Sequence, residues 1–353
     1  MSTGVKFDAQ QAIMEHRLSY GKKGIICGLG SGITWGLQGI IFAIALTMFP
    51  FVSSTYSAMA LVIAGIVAAG MHDLFAGGWV ALYTVCTARR AEFIRTLKTK
   101  PGKMILLCTL FGGPFAMSCY TVSLNYVGVT YALAMQALFP AIGAVLSVVV
   151  LKEKLVPRTW AGIFCVVIGA ALVSYTPPTG DAYPNFYLGI FLAFIAACGF
   201  AVDGIIATYA MDMIDPEISI AIRLMWSGIF ILVLLVPVAG IIGGAGLVGW
   251  KMLAGFFSSA GALAGLLIIA AAFTGGLCWF CNYKAFNMAG AARGMALNVT
   301  YCLWSVGFAW LFQKMGFYSY SITSIAIVGA VVILVGTILV VANPKELLQL
   351  RNN

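Results

Sequence analysis

Three sets of side chains have the types and spacing that could hold an organic cation. Trp35 and Gln38 stand three apart, as do Phe200 and Asp203, while Asn298, Tyr301 and Trp304 follow at successive steps of three. On a helix each set shares a face. A cation that cannot donate a hydrogen bond is gripped by the electron-rich face of an aromatic ring and by a carboxylate's charge, and these sets supply both. Trp279 and Asn282 repeat the aromatic-plus-amide pattern, and Tyr120 offers a further ring. For any single ring the alternative is helix packing or an interfacial belt, the reading assigned to Trp226, Trp250 and Trp310. For Asp203 the alternative is a helix–helix hydrogen bond or a place near the cytoplasmic end. The adjacent pair His72-Asp73 lies within an apolar run. Histidine titrates near neutral pH and burial raises an aspartate toward that range, so one of the pair is a candidate proton carrier. The alternative is that the two line an outer vestibule or orient a neighbouring helix.

The elements that must carry these residues are membrane helices. The chain has 353 residues, 62% apolar and only 9% charged, with 40 Gly and 11 Asp plus Glu. Its mean hydropathy is +1.01. A soluble domain carries about a quarter charged residues, so a cytosolic enzyme, a secreted disulfide scaffold and a disordered chain are excluded. The net charge of +9 comes from short basic runs between long apolar segments, which points to membrane orientation and not to nucleic acid. About 20 apolar residues cross a bilayer. Ten stretches reach that length, near 24–48, 58–87, 104–124, 130–150, 157–176, 186–210, 219–242, 260–283, 291–313 and 319–342. With ten crossings, all of the 20 Lys and Arg except Lys251 and Lys314 fall on one side, among them Arg223, Lys284 and Arg293. By the positive-inside rule residues 1–23 and the tail 343–353 are cytoplasmic. The first segment lacks the pattern of a signal peptide. The long run from Ala58 to Thr87 reads as one crossing, since two would export the cluster from Arg89 to Lys103.

All nine cysteines fall inside expected spans and read as small packing residues. Cys278 and Cys281 form a C-x-x-C without the second pair or histidines that zinc or redox chemistry would need, so no metal or cofactor is expected. No phosphate-binding G-x-x-x-x-G-K-[ST] is present. No constellation for an enzyme stands out, only His72-Asp73 remotely qualifying.

The two halves resemble each other. Trp35-Gly36-Leu37-Gln38-Gly39-Ile40-Ile41 aligns with Phe200-Ala201-Val202-Asp203-Gly204-Ile205-Ile206. A second alignment pairs Phe111 with Phe273, Gly113 with Gly275, Cys119 with Cys281, Asn125 with Asn287, Gly128 with Gly290, and Gln136 with Asn298. Two five-helix units follow, 24–176 and 186–342, and because five is odd they are inverted in the membrane. That build places a substrate site near the midplane. Gln38 and Asp203 then occupy matched depths, as do Gln136 and Asn298, and should face an internal cavity.

These residues also resemble a known family. The stretch Ser147 to Leu155, ending Leu-Lys-Glu-Lys-Leu, with Pro140 ahead and Gly162 after, is similar to the repeated unit of the drug/metabolite transporter superfamily (EamA-type). Trp35-Gly36-Leu37, His72-Asp73-Leu74, Gly113-Pro114 with Met117, and Asn298-Val299-Thr300-Tyr301 with Trp304 look like segments of its bacterial choline transporters of the pneumococcal type. The resemblance covers roughly residues 24 to 342. It departs at Phe200-Ala201-Val202-Asp203, where that group has Trp-Gly-x-Glu, and at an apparent insertion from Met48 to Met59. It implies an all-α membrane protein of ten helices in two inverted repeats, in the bacterial inner membrane, importing choline or a related quaternary ammonium. Asp203 would compensate charge, Trp35, Tyr301 and Trp304 would form a cage, and Gln38 and Asn298 would meet a hydroxyl. A coupling proton and a monomer or homodimer are left open. The rival is an exporter of neutral metabolites or amino acids, which the same superfamily contains.

Overall fold

A chain that buries its backbone in hydrocarbon must satisfy every amide within the segment, which for this composition means helices. The computed structural model describes residues 2–53, 56–87, 89–173, 175, 185–317 and 323–341, and among them every regular element is helical. The tail 343–353 lies outside the described residues.

Helix α1 (Ser2–Leu46) is followed by α2 (Ala58–Cys86) and the short α3 (Arg90–Leu97). A π-helical stretch, Phe111–Met117, joins α4 (Lys100–Leu110) to α5 (Ser118–Gln136). Next come α6 (Phe139–Leu146), its π-helical extension Ser147–Leu151, and α7 (Pro157–Val173). The second half holds α8 (Phe186–Ala210), α9 (Pro216–Phe230), a π-helical Ile231–Leu235 and α10 (Val236–Ile242). After these run α11 (Val248–Phe256), α12 (Ala262–Ala289), α13 (Ala291–Asn298), α14 (Tyr301–Lys314) and α15 (Ser324–Val341).

Eight helical runs are long and apolar enough to cross a membrane: Gln10–Leu46, Ala58–Cys86, Lys100–Ser123, Phe186–Ala210, Pro216–Ile242, Ala262–Ala289, Ala291–Lys314 and Ser324–Val341. Phe139–Leu151 and Pro157–Val173 are apolar but shorter. The chain is therefore a multi-pass helical membrane protein. Local chemistry sets several boundaries. Ser57 caps α2 by accepting from the Ala60 N–H, and Thr99 caps α4 by accepting from Gly102. Asp215 caps α9 through Glu217. Pro114 has no N–H to give, and the ladder around it widens to π geometry.

The structure differs from the expected boundaries in three places. The polar segment before residue 24 is helical from Ser2 and continuous with the first span. The turn expected between 124 and 130 is helical, and the break falls at 137–138. Proline is tolerated in a first helical turn but not further in, so Pro140 requires the break just ahead of it. The loop expected after residue 283 shrinks to Gly290 alone, at φ 91°, which leaves Lys284 inside α12.

Packing pairs α1 with α12, α5 with α8, α2 with α9 and α7 with α15. In the last pair the backbones nearly touch: a Cβ on Gly162 would lie 2.8 Å from the Gly336 carbonyl oxygen, and one on Gly336 would lie 2.7 Å from that of Gly162. Close approach at small residues is the usual cement between membrane helices, where apolar burial gives no advantage over lipid.

Candidate functional site

Six aromatic side chains from both halves surround one internal cavity. Trp35 of α1, Tyr120 of α5, Phe139 of α6, Phe200 of α8, Trp279 of α12 and Tyr301 of α14 line it, and it is partly open. The ring centroids of Trp35 and Trp279 lie 5.6 Å apart at 84°, those of Trp35 and Tyr301 6.4 Å apart at 62°. Phe200 lies 5.8 Å from Trp279. The polar part of the wall is Gln136, Asn282, Asn298 and Cys278. Asn298 donates to Ser31 Oγ at 3.0 Å and Gln136 to the Ala193 carbonyl at 3.4 Å. Asn282 Oδ1 is buried with no hydrogen-bond partner, an acceptor left over beside the cavity.

Of the residues expected to form the site, Trp35, Tyr120, Phe200, Trp279, Asn298 and Tyr301 are thus brought together. Gln136 and Asn282, singled out for their spacing, join them, as do Phe139 and Cys278, which the sequence had not marked as ligands. Trp304 does not line the cavity and is 38% exposed. The reason is local: residues 299–300 interrupt the helix between α13 and α14, so the step of three from Asn298 does not continue as one face.

Gln38 and Asp203 are buried but lie off the cavity wall. They belong to a second polar region behind Trp279. Asp203 Oδ2 is 3.4 Å from Arg223 Nη2, and Asp73 Oδ2 is 3.4 Å from Arg223 Nη1. Ser227 Oγ donates to Asp73, and His72 Nδ1 lies 3.0 Å from Asp73 Oδ1, so the adjacent pair does touch. His72 and both aspartates are fully buried, and Arg223 is 1% exposed. The guanidinium carbon of Arg223 sits 4.5 Å over the Trp279 ring. Gln38 and His72 meet near Gly275, where a Cβ would reach 2.3 Å from His72 Nε2 and 3.3 Å from Gln38 Cγ.

Two features make room for these ions. Gly112 and Gly113 lie in the π-helical stretch, and a Cβ on Gly112 would stand 2.4 Å from both Arg223 Nη2 and Asp203 Oδ2. Side chains at both positions would evict the cluster. Sequence reasoning missed Arg223 by counting it among loop charges; an arginine inside an apolar helix marks an internal partner instead. Arg293 is likewise buried.

At one end of the bundle Arg89 pairs with Glu92 and Asp215 at 3.0 Å and with Glu217 at 3.2 Å, while Lys284 reaches Glu217 at 2.5 Å. The carboxylates hold the Arg89 guanidinium well above its ordinary pKa. Elsewhere Glu153, in the turn after Leu151, accepts from the Ala291 N–H at 2.8 Å and thereby caps α13. Burial pushes its carboxyl above the usual range, against the lowering by two backbone donors, Ala291 and Ala292.

Residues 22–175 match the model of the EamA-like transporter family. Protein LicB of Haemophilus influenzae is 25% identical over 292 residues, covering 83% of this chain and 90% of that protein. A crystal structure of another protein superposes with a TM-score of 0.64 at 14% identity, covering 91% of this chain and 97% of that one, so the fold is shared.

Proposed function

We propose that the chain is a secondary transporter of ten crossings in two inverted five-helix units, 24–176 and 186–342, that imports a small organic cation. Choline or a related quaternary ammonium is the substrate class. The observation that carries this reading is the aromatic cavity: six rings and three amides, contributed by both halves, around a space with no lysine or arginine among the described residues of its wall. A quaternary ammonium gains from ring faces what it cannot gain from hydrogen bonds. The pairing of α1 with α12 and α5 with α8, and the reciprocal glycine contact between α7 and α15, support the inverted arrangement. A monovalent cation would enter with about 2.3 kcal/mol per 100 mV of membrane potential.

Trp35, Tyr120, Phe200, Trp279 and Tyr301 would form the cage, and Gln136, Asn282 and Asn298 would orient a hydroxyl. Asp203 and Gln38 act from behind the wall, while Trp304 borders helix α1 at Gly36. His72 and Asp73 would carry a coupling proton. The membrane is the bacterial cytoplasmic membrane, with both termini inside.

One observation favours the rival, an exporter of neutral metabolites or amino acids. Among the described residues no carboxylate lines the cavity, and Asp203 is paired with Arg223. Thermal stabilisation of the purified protein by a panel of amines, betaines and amino acids separates the two. Stabilisation confined to quaternary amines supports cation import, and a flat profile or one led by neutral amino acids rejects it.

A further inference from the structure

Trp279 belongs both to the cavity wall and to the surroundings of the buried ions. Trp279 lines the cavity, and the Arg223 guanidinium carbon sits 4.5 Å from its ring centroid. Arg223 is a cation at every pH a cell meets. It lies between two carboxylates, Asp73 and Asp203, each at 3.4 Å. The pairing is loose: both Asp203 oxygens and Arg223 Nε and Nη2 have no hydrogen-bond partner among the described residues. Counted without His72, which sits beside Asp73, two carboxylates against one guanidinium leave one negative charge, with Cys108, Tyr283 and Ser227 as neighbours. In such surroundings a charge is felt across a ring with little screening.

We propose that Arg223 determines charge specificity: by cancelling one of two carboxylates behind Trp279, it leaves the cavity matched to a substrate of a single positive charge. This rests on the cation reading of the cavity and explains how a site without a lining carboxylate prefers a cation. Asp203 then acts through the net charge of the cluster and not by touching the substrate. Arg223 is a positioning residue in the electrostatic sense, and removing it should admit a second charge.

The test is a charge-balanced series at one pH, so that the state of His72 is common to all. Purified parent, Asp203→Asn and the double variant Asp203→Asn/Arg223→Met are titrated with choline and with its neutral isostere 3,3-dimethylbutanol. Asp203→Asn leaves the cluster neutral and should lose at least tenfold in choline affinity, with the isostere unchanged. The double variant restores one net negative charge and should return choline affinity to within about threefold of the parent. A double variant as weak as Asp203→Asn overturns the proposal, since a direct carboxylate contact cannot be rescued that way. The reciprocal pair Asp73→Asn/Arg223→Met stands in where the first does not fold. The parent alone gives an independent reading with (2-aminoethyl)trimethylammonium, in which an ammonium replaces choline's hydroxyl. The parent should prefer choline to this dication by more than tenfold, and equal binding overturns the proposal. If the parent fails to prefer choline over 3,3-dimethylbutanol, the cation reading itself falls; if only the rescue fails, that reading survives and Arg223 has no part in charge specificity.

Discussion

The aromatic cavity and the ion cluster meet at Trp279 and are built on different principles. The cavity is rings and amides around open space, with Asn282 Oδ1 unpaired. The cluster is close-packed, with formal charges fully buried and glycines holding back the backbone. A surface that must release its ligand leaves an acceptor open, whereas buried charges need a counter-ion, which Arg223 supplies to both aspartates. Substitutions should therefore separate: those in the cluster act on stability first, and those in the cavity act on binding first.

The largest effect should come from Arg223→Met, which strands two buried carboxylates. Removing one partner of a buried ion pair costs about 3–5 kcal/mol. A thermal unfolding midpoint close to the parent's would show that the cluster does not stabilise the fold.

Trp35→Leu sharpens the contrast from the other side. It keeps apolar bulk and removes a ring face worth up to about 2 kcal/mol to a desolvated cation, so quaternary-ammonium affinity should fall more than about tenfold with little change in unfolding. Trp304→Leu, outside the cavity wall, should leave affinity within about threefold of the parent. Equal losses in the two variants would mean that the cavity boundary does not govern recognition.

The smallest effect belongs to Glu153, remote from both regions. Its carboxyl is raised above the unfolded value of 4.5 by burial, so its contribution to stability is full below that pH and lost as pH rises through the folded value. Glu153→Gln removes this dependence. Relative to the parent, the variant's unfolding temperature should rise with pH across that window, and a fall would contradict the sign.

The sequence made the helical character and the matched aromatic positions readable because both follow from composition and spacing. Trp35, Phe200 and Tyr301 line one cavity, whereas Gln38 and Asp203, three residues on from the first two, do not. Arg223 escaped because a tally of basic residues treats each one as a loop charge, although its place inside the apolar run of α9 was visible. Trp304 escaped for a different reason. Periodicity is informative only while the helix continues, and nothing in Val299-Thr300 announces the break that turns Trp304 aside. The end of α5 was misplaced because Asn125 and Gly128 look like turn residues, yet neither forbids a helix. The cluster itself depends on contacts between α2, α8 and α9, which spacing along any one of them does not reveal.

Calorimetric titration of the unmodified protein with choline and with 3,3-dimethylbutanol, equal in shape and different in charge, tests the central claim most directly. Cation recognition predicts that choline binds more than about tenfold tighter, at least 1.4 kcal/mol. Equal affinities would contradict it, make the cavity an apolar pocket, and give the place to the neutral-metabolite reading.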